Sequence, residues 1–316
     1  MANILEKYDA SHSQVEAFKT CPRRHFYGYG LGITSNTPGI QLVRGIIGHA
    51  VLAEYYQGLK DGLGHDESRR RGSRLLAVLI TETPDFYNKD SLQLELATTL
   101  RDYFRWVEPE AEEIQVLEVE KVFEARINEN FSLPFVVDLI VRVPGSGIEA
   151  WDHKFVWDFF NPKTLDLSPQ LPLYYAGLRM LGSDKRYATA TVRYNEIRYR
   201  NTREIEGDYT KRFNRPAPRI SKQRVIQTME EHIRVGETIY RLRQLPIEEW
   251  DKWAYRTGNN KTCTFCGFQA ICVGDLNGED RRNYIGVDYK KKVKRETQRV
   301  LEPSPENRDL PSGHSS

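Results

Sequence analysis

The chain has 316 residues, of which 39% are hydrophobic, and this fraction is ample for a buried core. Its 46 basic and 44 acidic residues leave a net charge of +2, which excludes binding to nucleic acid through overall charge and requires local basic patches instead. The sequence contains no internal repeat and no apolar run long enough to span a membrane, so we expect no membrane partner.

Hydrophobic periodicity and turn residues predict helices and strands along the whole chain. The predicted helices cover residues 11–30, 44–60, 91–107, 169–182 and 221–244. The predicted strands cover residues 114–125, 135–143, 148–156 and 187–199. Between the second and third helices, Arg69, Arg70 and Arg71 open a charged stretch. This order predicts an α/β fold in which a mixed sheet is flanked by helices.

The segment Pro144–Gly147 separates two apolar, β-branched runs and predicts an antiparallel hairpin. If Val141 pairs with Glu149, the register sets Asp138 opposite Asp152. Cross-strand partners have Cβ atoms about 4.5–5.5 Å apart. A divalent cation with carboxylate bonds of about 2.0–2.1 Å can bridge such a pair. The hairpin therefore permits two carboxylates to share one metal ion.

Asp152, His153 and Lys154 end the second run of this hairpin. Alternate residues of a strand project from the same face, so Asp152 and Lys154 lie side by side while His153 points away. A metal ligand beside a cation is typical of a metal-dependent nuclease centre. The alternative is a surface ion pair on an edge strand.

Two further pairs of residues flank the hairpin in the sequence. Gly45 and His49 lie in an apolar stretch with helical spacing, where the histidine is either a functional residue or an ordinary core residue. Gln170 and Tyr174 lie one helical turn apart on one face, which is also what an ordinary amphipathic helix would show.

In this order the residues resemble the RecB-type branch of the PD-(D/E)XK nuclease superfamily, which carries G-x-x-x-H, an Asp, (D/E)-x-K and Q-x-x-x-Y. The match spans residues 11–275, and it departs from the pattern where the family often has a glycine three positions before Asp138. The resemblance implies a restriction-endonuclease-like fold. The implied ligands of Mg²⁺ or Mn²⁺ are His49, Asp138, Asp152 and the backbone carbonyl of His153. The implied catalytic residues are Asp138, Asp152, Lys154, Gln170 and Tyr174.

The four cysteines are Cys21, Cys263, Cys266 and Cys272. Because the first residues lack the apolar core of a signal peptide, we expect a cytoplasmic protein in which a thiol cluster binds metal rather than forming disulfides. Composition alone leaves zinc and iron–sulfur open. The chain resembles RecB-type nucleases that have one cysteine before the nuclease motifs and three after them, among them the iron–sulfur subunit of AddAB and the CRISPR-associated RecB-like exonucleases. This resemblance implies a 4Fe-4S cluster that joins the N- and C-terminal segments.

The same resemblance implies a metal-dependent DNA exonuclease that acts on single-stranded ends, in recombination, repair, phage replication or CRISPR adaptation. The sequence has no G-x-x-x-x-G-K-[ST] motif, so unwinding would need a helicase partner. One alternative is a noncatalytic DNA-binding or assembly subunit that keeps the fold and the cluster. Another is a structural protein in which a zinc ion joins the cysteines and the acidic residues have no catalytic role.

The segment around residues 193–200 interleaves arginines with rings and predicts a DNA contact, although an ordinary half-exposed edge strand has the same alternation. Its candidate contact residues are Arg193, Arg198, Tyr199 and Arg200. The spread of the motifs predicts one nuclease domain over residues 1–276. Residues 277–316 contain few large apolar groups and predict a disordered tail, either a tether or a solubilising segment.

Overall fold

The computed structural model describes residues 8–181 and 186–292. Its strands are β1 (Tyr8–Asp9), β2 (Ile33–Ser35), β3 (Gln115–Arg126), β4 (Phe131–Val143), β5 (Gly147–Val156), β6 (Thr191–Arg198), β7 (Phe213–Asn214) and β8 (Tyr289–Lys291). Its α-helices are α1 (His12–Thr20), α2 (Pro22–His25), α3 (Ile40–Lys60), α4 (Gly64–Glu82), α5 (Lys89–Ala111), α6 (Pro162–Leu165), α7 (Gln170–Arg179), α8 (Arg203–Gly207), α9 (Lys222–Arg243), α10 (Ile247–Trp253), α11 (Asn260–Thr264) and α12 (Gln269–Leu276).

Six strands form one mixed sheet in the order β1-β4-β5-β6-β7, and β3 pairs with β4 as well. The pairs β1–β4 and β5–β6 are parallel, and the other pairs of this sheet are antiparallel. A separate two-stranded sheet joins β2 to β8. The predicted α/β fold, a mixed sheet flanked by helices, is confirmed.

The central hairpin has the predicted register. Val141 pairs with Glu149, and the assigned ladder runs from Val143 with Gly147 to Leu139 with Trp151. The turn uses two glycines with positive φ, 74° at Gly145 and 85° at Gly147, a conformation that side chains disfavour. Asp138 and Asp152 are the next residues on the two strands, one position beyond the last assigned pair of the ladder.

Two hydrophobic cores cover opposite faces of the sheet. Helices α3, α4 and α5 cover one face, where the buried side chains include Leu52, Leu96, Leu100, Tyr103 and Trp151. Helices α1, α7 and α9 cover the other face, where they include Val15, Phe131, Leu171, Leu178 and Ile239. Burying one such side chain contributes about 1.5–3 kcal/mol. Helices α3 and α7 therefore pack against the same central strands from opposite faces of the sheet.

Helix α4 was not predicted, because the charged stretch at Arg69–Arg71 hides its pattern. Its first turns carry ion pairs of helical spacing, such as Arg70 with Glu67 at 2.8 Å. Leu76 and Leu79 then face the core formed with α3 and α5. The charges therefore line the solvent face of a helix.

The predicted start of a disordered tail at residue 277 is wrong. Residues 277–292 are folded, and β8 pairs with β2 in the register Ile33 with Lys291. Tyr289 is buried in the core beside α1 and α9. A tail start at 293 lies outside the described residues, as does part of the basic cluster Lys290–Arg295. No helix in the described part of the chain is long and apolar enough to cross a membrane.

Candidate functional site

Three elements bring together the acids and the histidine that the sequence singled out. Helix α3 supplies His49, β4 supplies Asp138 and β5 supplies Asp152. The Nδ1 atom of His49 lies 3.4 Å from Oδ2 of Asp138. Asp138 and Asp152 are both buried. A carboxylate pair in this setting is unfavourable unless cations or hydrogen-bond donors compensate it.

Glu120 on β3 is a member of this site that sequence reasoning missed. Its Oε1 atom lies 4.0 Å from Nδ1 of His49. Ligand atoms of His49, Glu120 and Asp138 lie within 4.8 Å of one another, the one such group among the described residues. Glu120 also has a φ of 46°, and no other described non-glycine residue has a positive φ. Such a backbone costs about 1–3 kcal/mol and is found at functional sites.

Glu120 lies opposite Asp138 on the neighbouring strand. The strand pairing puts Val119 opposite Leu139 and Lys121 opposite Val137, so Glu120 and Asp138 face each other across β3 and β4. Nothing in a run of alternating charged residues distinguishes this acid from its exposed neighbours. Only the cross-strand register and the unusual φ could have identified it.

Asp152 is held by residues of α7 and by its neighbour on β5. Gln170 Nε2 donates to Asp152 Oδ1 at 2.8 Å, and the Tyr174 hydroxyl donates to the same oxygen at 3.5 Å. The ammonium of Lys154 forms an ion pair with Oδ2. Among the described residues, that oxygen has no hydrogen-bond partner besides the Lys154 ammonium. The structure thus brings together Asp152, Lys154, Gln170 and Tyr174.

Negative charge dominates the electrostatics of the site. Burial would lower the pKa of His49, but the carboxylates of Asp138, Glu120 and Asp152 outweigh it and raise that pKa to about 9. Burial raises the pKa of Asp138 to about 7, with Asp152 and Glu120 adding to the rise and His49 opposing it. Burial would also lower the pKa of Lys154, but Asp152 and Asp138 raise it. The negative charge of these acids therefore favours the binding of a further cation at the site.

His153 lies on the opposite face of β5 from Asp152 and supports the site from behind. Its backbone N–H donates to Asp138 Oδ2 at 2.7 Å. Its ring stacks on Tyr56, with centroids 5.8 Å apart, and Nδ1 is 2.8 Å from Nδ2 of Asn195. Burial holds the pKa of His153 well below its usual range, so the ring is neutral. The predicted direction of its side chain agrees with this arrangement.

A buried polar network continues behind His153. Asn195 Nδ2 donates to the Tyr103 hydroxyl at 2.8 Å, and Arg215 Nε donates to Asn195 Oδ1 at 3.2 Å. Arg215 makes two further bonds to Glu110, at 2.9 and 2.7 Å. Buried side chains whose polar groups all have hydrogen-bond partners have few alternative rotamers. The network fixes β5 and β6 relative to α5, and with them the position of Asp152.

Helix α3 approaches the site through two different glycines. A Cβ on Gly48 would lie 2.2 Å from Cζ of Phe155, so this glycine permits close packing against β5. A Cβ on Gly45 would meet no atom of the described residues within 4 Å. Gly45 lies one turn before His49 on the same face. The helix therefore has open space beside the metal-ligand candidate, at a position where glycine costs about 0.5–1 kcal/mol relative to alanine.

The donor set suits a hard divalent cation. Mg²⁺ and Mn²⁺ prefer carboxylate oxygens, and an imidazole nitrogen is acceptable to Mn²⁺. Ligand atoms of His49, Glu120 and Asp138 lie within 4.8 Å of one another, and the only partner of the neighbouring Asp152 Oδ2 among the described residues is Lys154. These residues therefore fit a divalent metal ion.

A comparison with known protein families agrees with this geometry. A family model described as the PD-(D/E)XK nuclease superfamily matches residues 9–273. The chain belongs to the PD-(D/E)XK nuclease superfamily. Its mixed sheet between helical layers is consistent with the restriction-endonuclease-like fold of these nucleases. No curated protein matches the chain significantly.

The predicted DNA-contact segment is largely occupied by other side chains. Arg193 pairs with Glu149 at 3.0 Å. Tyr199 is buried, and the guanidinium of Arg44 lies 3.8 Å from the centre of its ring. Arg198 and Arg200 instead lie near the loop that follows β5. The ring of Tyr199 is thus not open to a stacking base.

The four cysteines are free thiols at the junction of the N- and C-terminal segments. Thr257 Oγ1 donates to the carbonyl of Thr20 at 2.6 Å, which ties the segment before Cys263 to the residue before Cys21. The four sulfur atoms do not form a group within 4.8 Å, unlike His49, Glu120 and Asp138 among the described residues. A preformed zinc site, with Zn–S bonds of about 2.3 Å, would hold its sulfurs about 3.8 Å apart.

Two of the thiols accept hydrogen bonds of the kind that stabilise metal-bound sulfur. Backbone N–H groups, first that of Thr257, lower the pKa of Cys21 although burial opposes them. Arg256 Nε donates to Cys272 Sγ at 3.2 Å. Burial raises the pKa of Cys266, and negative charge at Cys21 and Cys272 adds to the rise. Hydrogen bonds to sulfur are one of the ways in which proteins tune iron–sulfur clusters.

Proposed function

We propose that the protein is a Mg²⁺- or Mn²⁺-dependent DNA exonuclease that hydrolyses phosphodiester bonds at single-stranded ends. The observation that carries this proposal is the convergence of His49, Glu120, Asp138 and Asp152 beside Lys154. A noncatalytic relative has no need to hold several buried acids together at the cost of their mutual repulsion. The set therefore supports an enzyme over a DNA-binding or assembly subunit.

His49, Glu120, Asp138 and Asp152 would hold the metal ion. When bound, the ion polarises the phosphate and lowers the pKa of the attacking water. Lys154 stabilises the negative charge that grows on the phosphate oxygens during attack, a role for a positioned cation. Gln170 and Tyr174 hold Asp152 in place. Both residues donate to Oδ1, so Asp152 could keep these hydrogen bonds while it contributes to holding a metal ion.

The proposal is tested by supplying the protein with Mg²⁺ or Mn²⁺ and four DNA substrates. These are linear and circular single strands, and linear and circular duplexes. We expect rapid loss of the linear single strand, slow loss of the linear duplex and no cleavage of either circle. Cleavage of circular DNA would show that the protein is an endonuclease and not an exonuclease. Intact DNA under every condition would favour the noncatalytic subunit.

Glu120→Gln is expected to weaken Mn²⁺ binding by at least about tenfold, because changes around a metal site typically cost 10- to 100-fold in affinity. The substitution keeps the size of the side chain and removes one negative charge. Titration calorimetry with Mn²⁺ measures the effect directly. Glu124→Gln is the matched control, since Glu124 lies exposed on the same strand. Equal Mn²⁺ affinity in both variants would exclude Glu120 from the ligand set.

Gly45→Ala is expected to stabilise the protein and to slow cleavage. Alanine in a helix interior is favoured by about 0.5–1 kcal/mol, and its methyl group meets no described atom within 4 Å. The same methyl group narrows the space that a DNA backbone would take beside His49, and small displacements can cost about 10²-fold in rate. Melting temperature and cleavage rate should thus change in opposite senses.

Gly48→Ala is the comparison for this variant. Its Cβ would collide with the ring of Phe155, so we expect the melting temperature to fall. A Gly45→Ala protein that is more stable and cleaves DNA at the parent rate would show that the open space has no role in substrate binding.

We also propose that Cys21, Cys263, Cys266 and Cys272 bind a 4Fe-4S cluster. Support comes from the hydrogen bonds offered to Cys21 and Cys272. The cluster holds the N- and C-terminal segments together and takes no part in hydrolysis. Duplex substrates would need a helicase partner, and a cytoplasmic location would keep the thiols reduced.

A further inference from the structure

The loop that follows β5 carries two exposed aromatic side chains. Trp157 is 57% exposed and Phe160 is 38% exposed. They lie three positions apart, directly after the strand that holds Asp152 and Lys154. Single exposed apolar residues are common on protein surfaces, but neighbouring ones often mark a binding site. The loop is therefore a candidate contact for a ligand of the nuclease centre.

The loop is held in a defined position. The backbone N–H of Phe160 donates to Oε1 of Glu196 at 3.1 Å, and Glu196 is fully buried. Asn161 caps the following helix by accepting a hydrogen bond from the N–H of Lys163 at 2.9 Å. A ring that is already fixed loses little conformational entropy when a ligand stacks on it.

The Phe160 ring is connected to the catalytic region through Tyr194. The rings of Phe160 and Tyr194 have centroids 5.3 Å apart, and Lys154 Nζ lies 5.5 Å from the centre of the Tyr194 ring. On the other side, the rings of Trp157 and Tyr199 have centroids 5.6 Å apart. Arg44 of α3 covers Tyr199. The exposed rings thus pack on Tyr194 and Tyr199, of which the first lies in β6 and the second directly after it.

Cationic groups accompany the rings. The guanidinium of Arg198 lies 4.0 Å from the centre of the Phe159 ring, and that of Arg200 lies 5.6 Å from the centre of the Trp157 ring. In the unbound protein Arg200 pairs with Asp158 of the same loop, and Arg198 lies 4.0 Å from Glu204. Aromatic rings interleaved with guanidinium groups bind single-stranded nucleic acid, because unpaired bases stack on the rings while the cations attract phosphates. Bases inside a duplex already stack on each other and cannot present a face to a side chain.

We propose that Trp157 and Phe160 stack on unpaired bases of the DNA strand whose phosphate lies at Asp152 and Lys154. This inference rests on the proposed function and adds a base-binding site to it. The rings select a strand with free bases, and the nuclease centre acts on the phosphate next to them. The loop thereby supplies the preference for single strands that the acids themselves do not encode.

The test measures DNA binding in the Asp152→Asn background with Ca²⁺, so that no strand is cleaved. Two labelled oligonucleotides of equal length are compared by fluorescence anisotropy, oligo(dT) and a strand of abasic residues with the same phosphates. Trp157→Ala and Phe160→Ala should each weaken oligo(dT) binding by about 5- to 100-fold, as expected for loss of one stacked base. Binding of the abasic strand should not change.

Trp253→Ala is the control, because Trp253 is 40% exposed on α10 and stacks on Phe18, away from β5. It should leave both affinities unchanged, and Trp157→Phe should restore most of the oligo(dT) affinity. If Trp157→Ala weakens both oligonucleotides equally or neither, the stacking site is refuted, while cleavage by the parent protein keeps the proposed function. A parent protein that neither binds nor cleaves DNA would refute both.

Discussion

Replacing Asp152 with asparagine is expected to abolish metal-dependent DNA cleavage while the protein stays folded. Asparagine keeps the oxygen that accepts from Gln170 and Tyr174. It removes the charge that faces Lys154 and the proposed metal ion. Loss of one electrostatic contact to a transition state costs about 10²–10³-fold in rate, and loss of metal binding adds to this. The measurement is digestion of end-labelled single-stranded DNA with Mg²⁺ or Mn²⁺.

The stability of this variant separates a catalytic effect from an unfolding effect. Asp152 is one of three neighbouring acids, and its charge raises the pKa of Asp138. Neutralising it relieves this repulsion but takes an ion-pair partner from Lys154. We therefore expect the free energy of unfolding to change by less than about 2 kcal/mol. Asp85→Asn is the control, because the Asp85 side chain is 97% exposed.

Lys154→Ala should also lose most of the cleavage activity, because it removes the cation near the phosphate and not a ligand of the metal ion. Mn²⁺ binding distinguishes the two variants, since it should fall in Asp152→Asn and persist in Lys154→Ala. Unchanged cleavage by Asp152→Asn, prepared from cells without other nucleases, would contradict the active-site assignment.

The sequence was informative about the central hairpin because two local signals agree there. Glycines in the turn and β-branched runs on either side define where the strands begin. Alternation then defines the register, because a shift of one residue would move Trp151 out of the core that it shares with α3 and α5 and put the carboxylate of Asp152 there instead. Hence the pairing of Val141 with Glu149 could be predicted.

Other features depend on contacts that no local pattern encodes. Helix α4 was missed because its leucines follow a run of arginines. The strand pairing of β8 with β2 joins residues from opposite ends of the described chain, so the tail boundary was placed too early. Glu120 enters the site through its cross-strand neighbour and an unusual backbone conformation. Neither feature can be identified from the residues around position 120.

Cys21→Ala is expected to lose the brown colour and nearly all of the iron. A cluster held by four thiolates contributes part of its binding free energy to folding, so loss of one ligand weakens the whole site. Cys21 is separated from the other three cysteines by the nuclease core, and a clip across such a long loop restricts the unfolded chain strongly. Anaerobic purification followed by iron, sulfide and zinc analysis measures the effect.

The damage should remain near the junction of the two chain ends. Arg281 bonds to Asp251 at 2.6 Å and to Asp275 at 2.6 Å, and the Tyr27 hydroxyl donates to Asp275 at 2.5 Å. These contacts and the pairing of β2 with β8 persist without the cluster. Limited proteolysis of Cys21→Ala should therefore cut near the cysteines well before the central hairpin, and cleavage activity should fall only as far as the fold loosens.

Asp251→Asn is the control that separates ligation from loosening. It weakens the ion pairs with Arg23 and Arg281 but leaves every thiol in place, so the iron should stay. Equal iron and sulfide in Cys21→Ala and the parent would exclude Cys21 as a ligand. Iron lost equally from Asp251→Asn would mean that iron content follows the integrity of the junction. Stoichiometric zinc in the parent would show that a zinc ion, and not a 4Fe-4S cluster, links the chain ends.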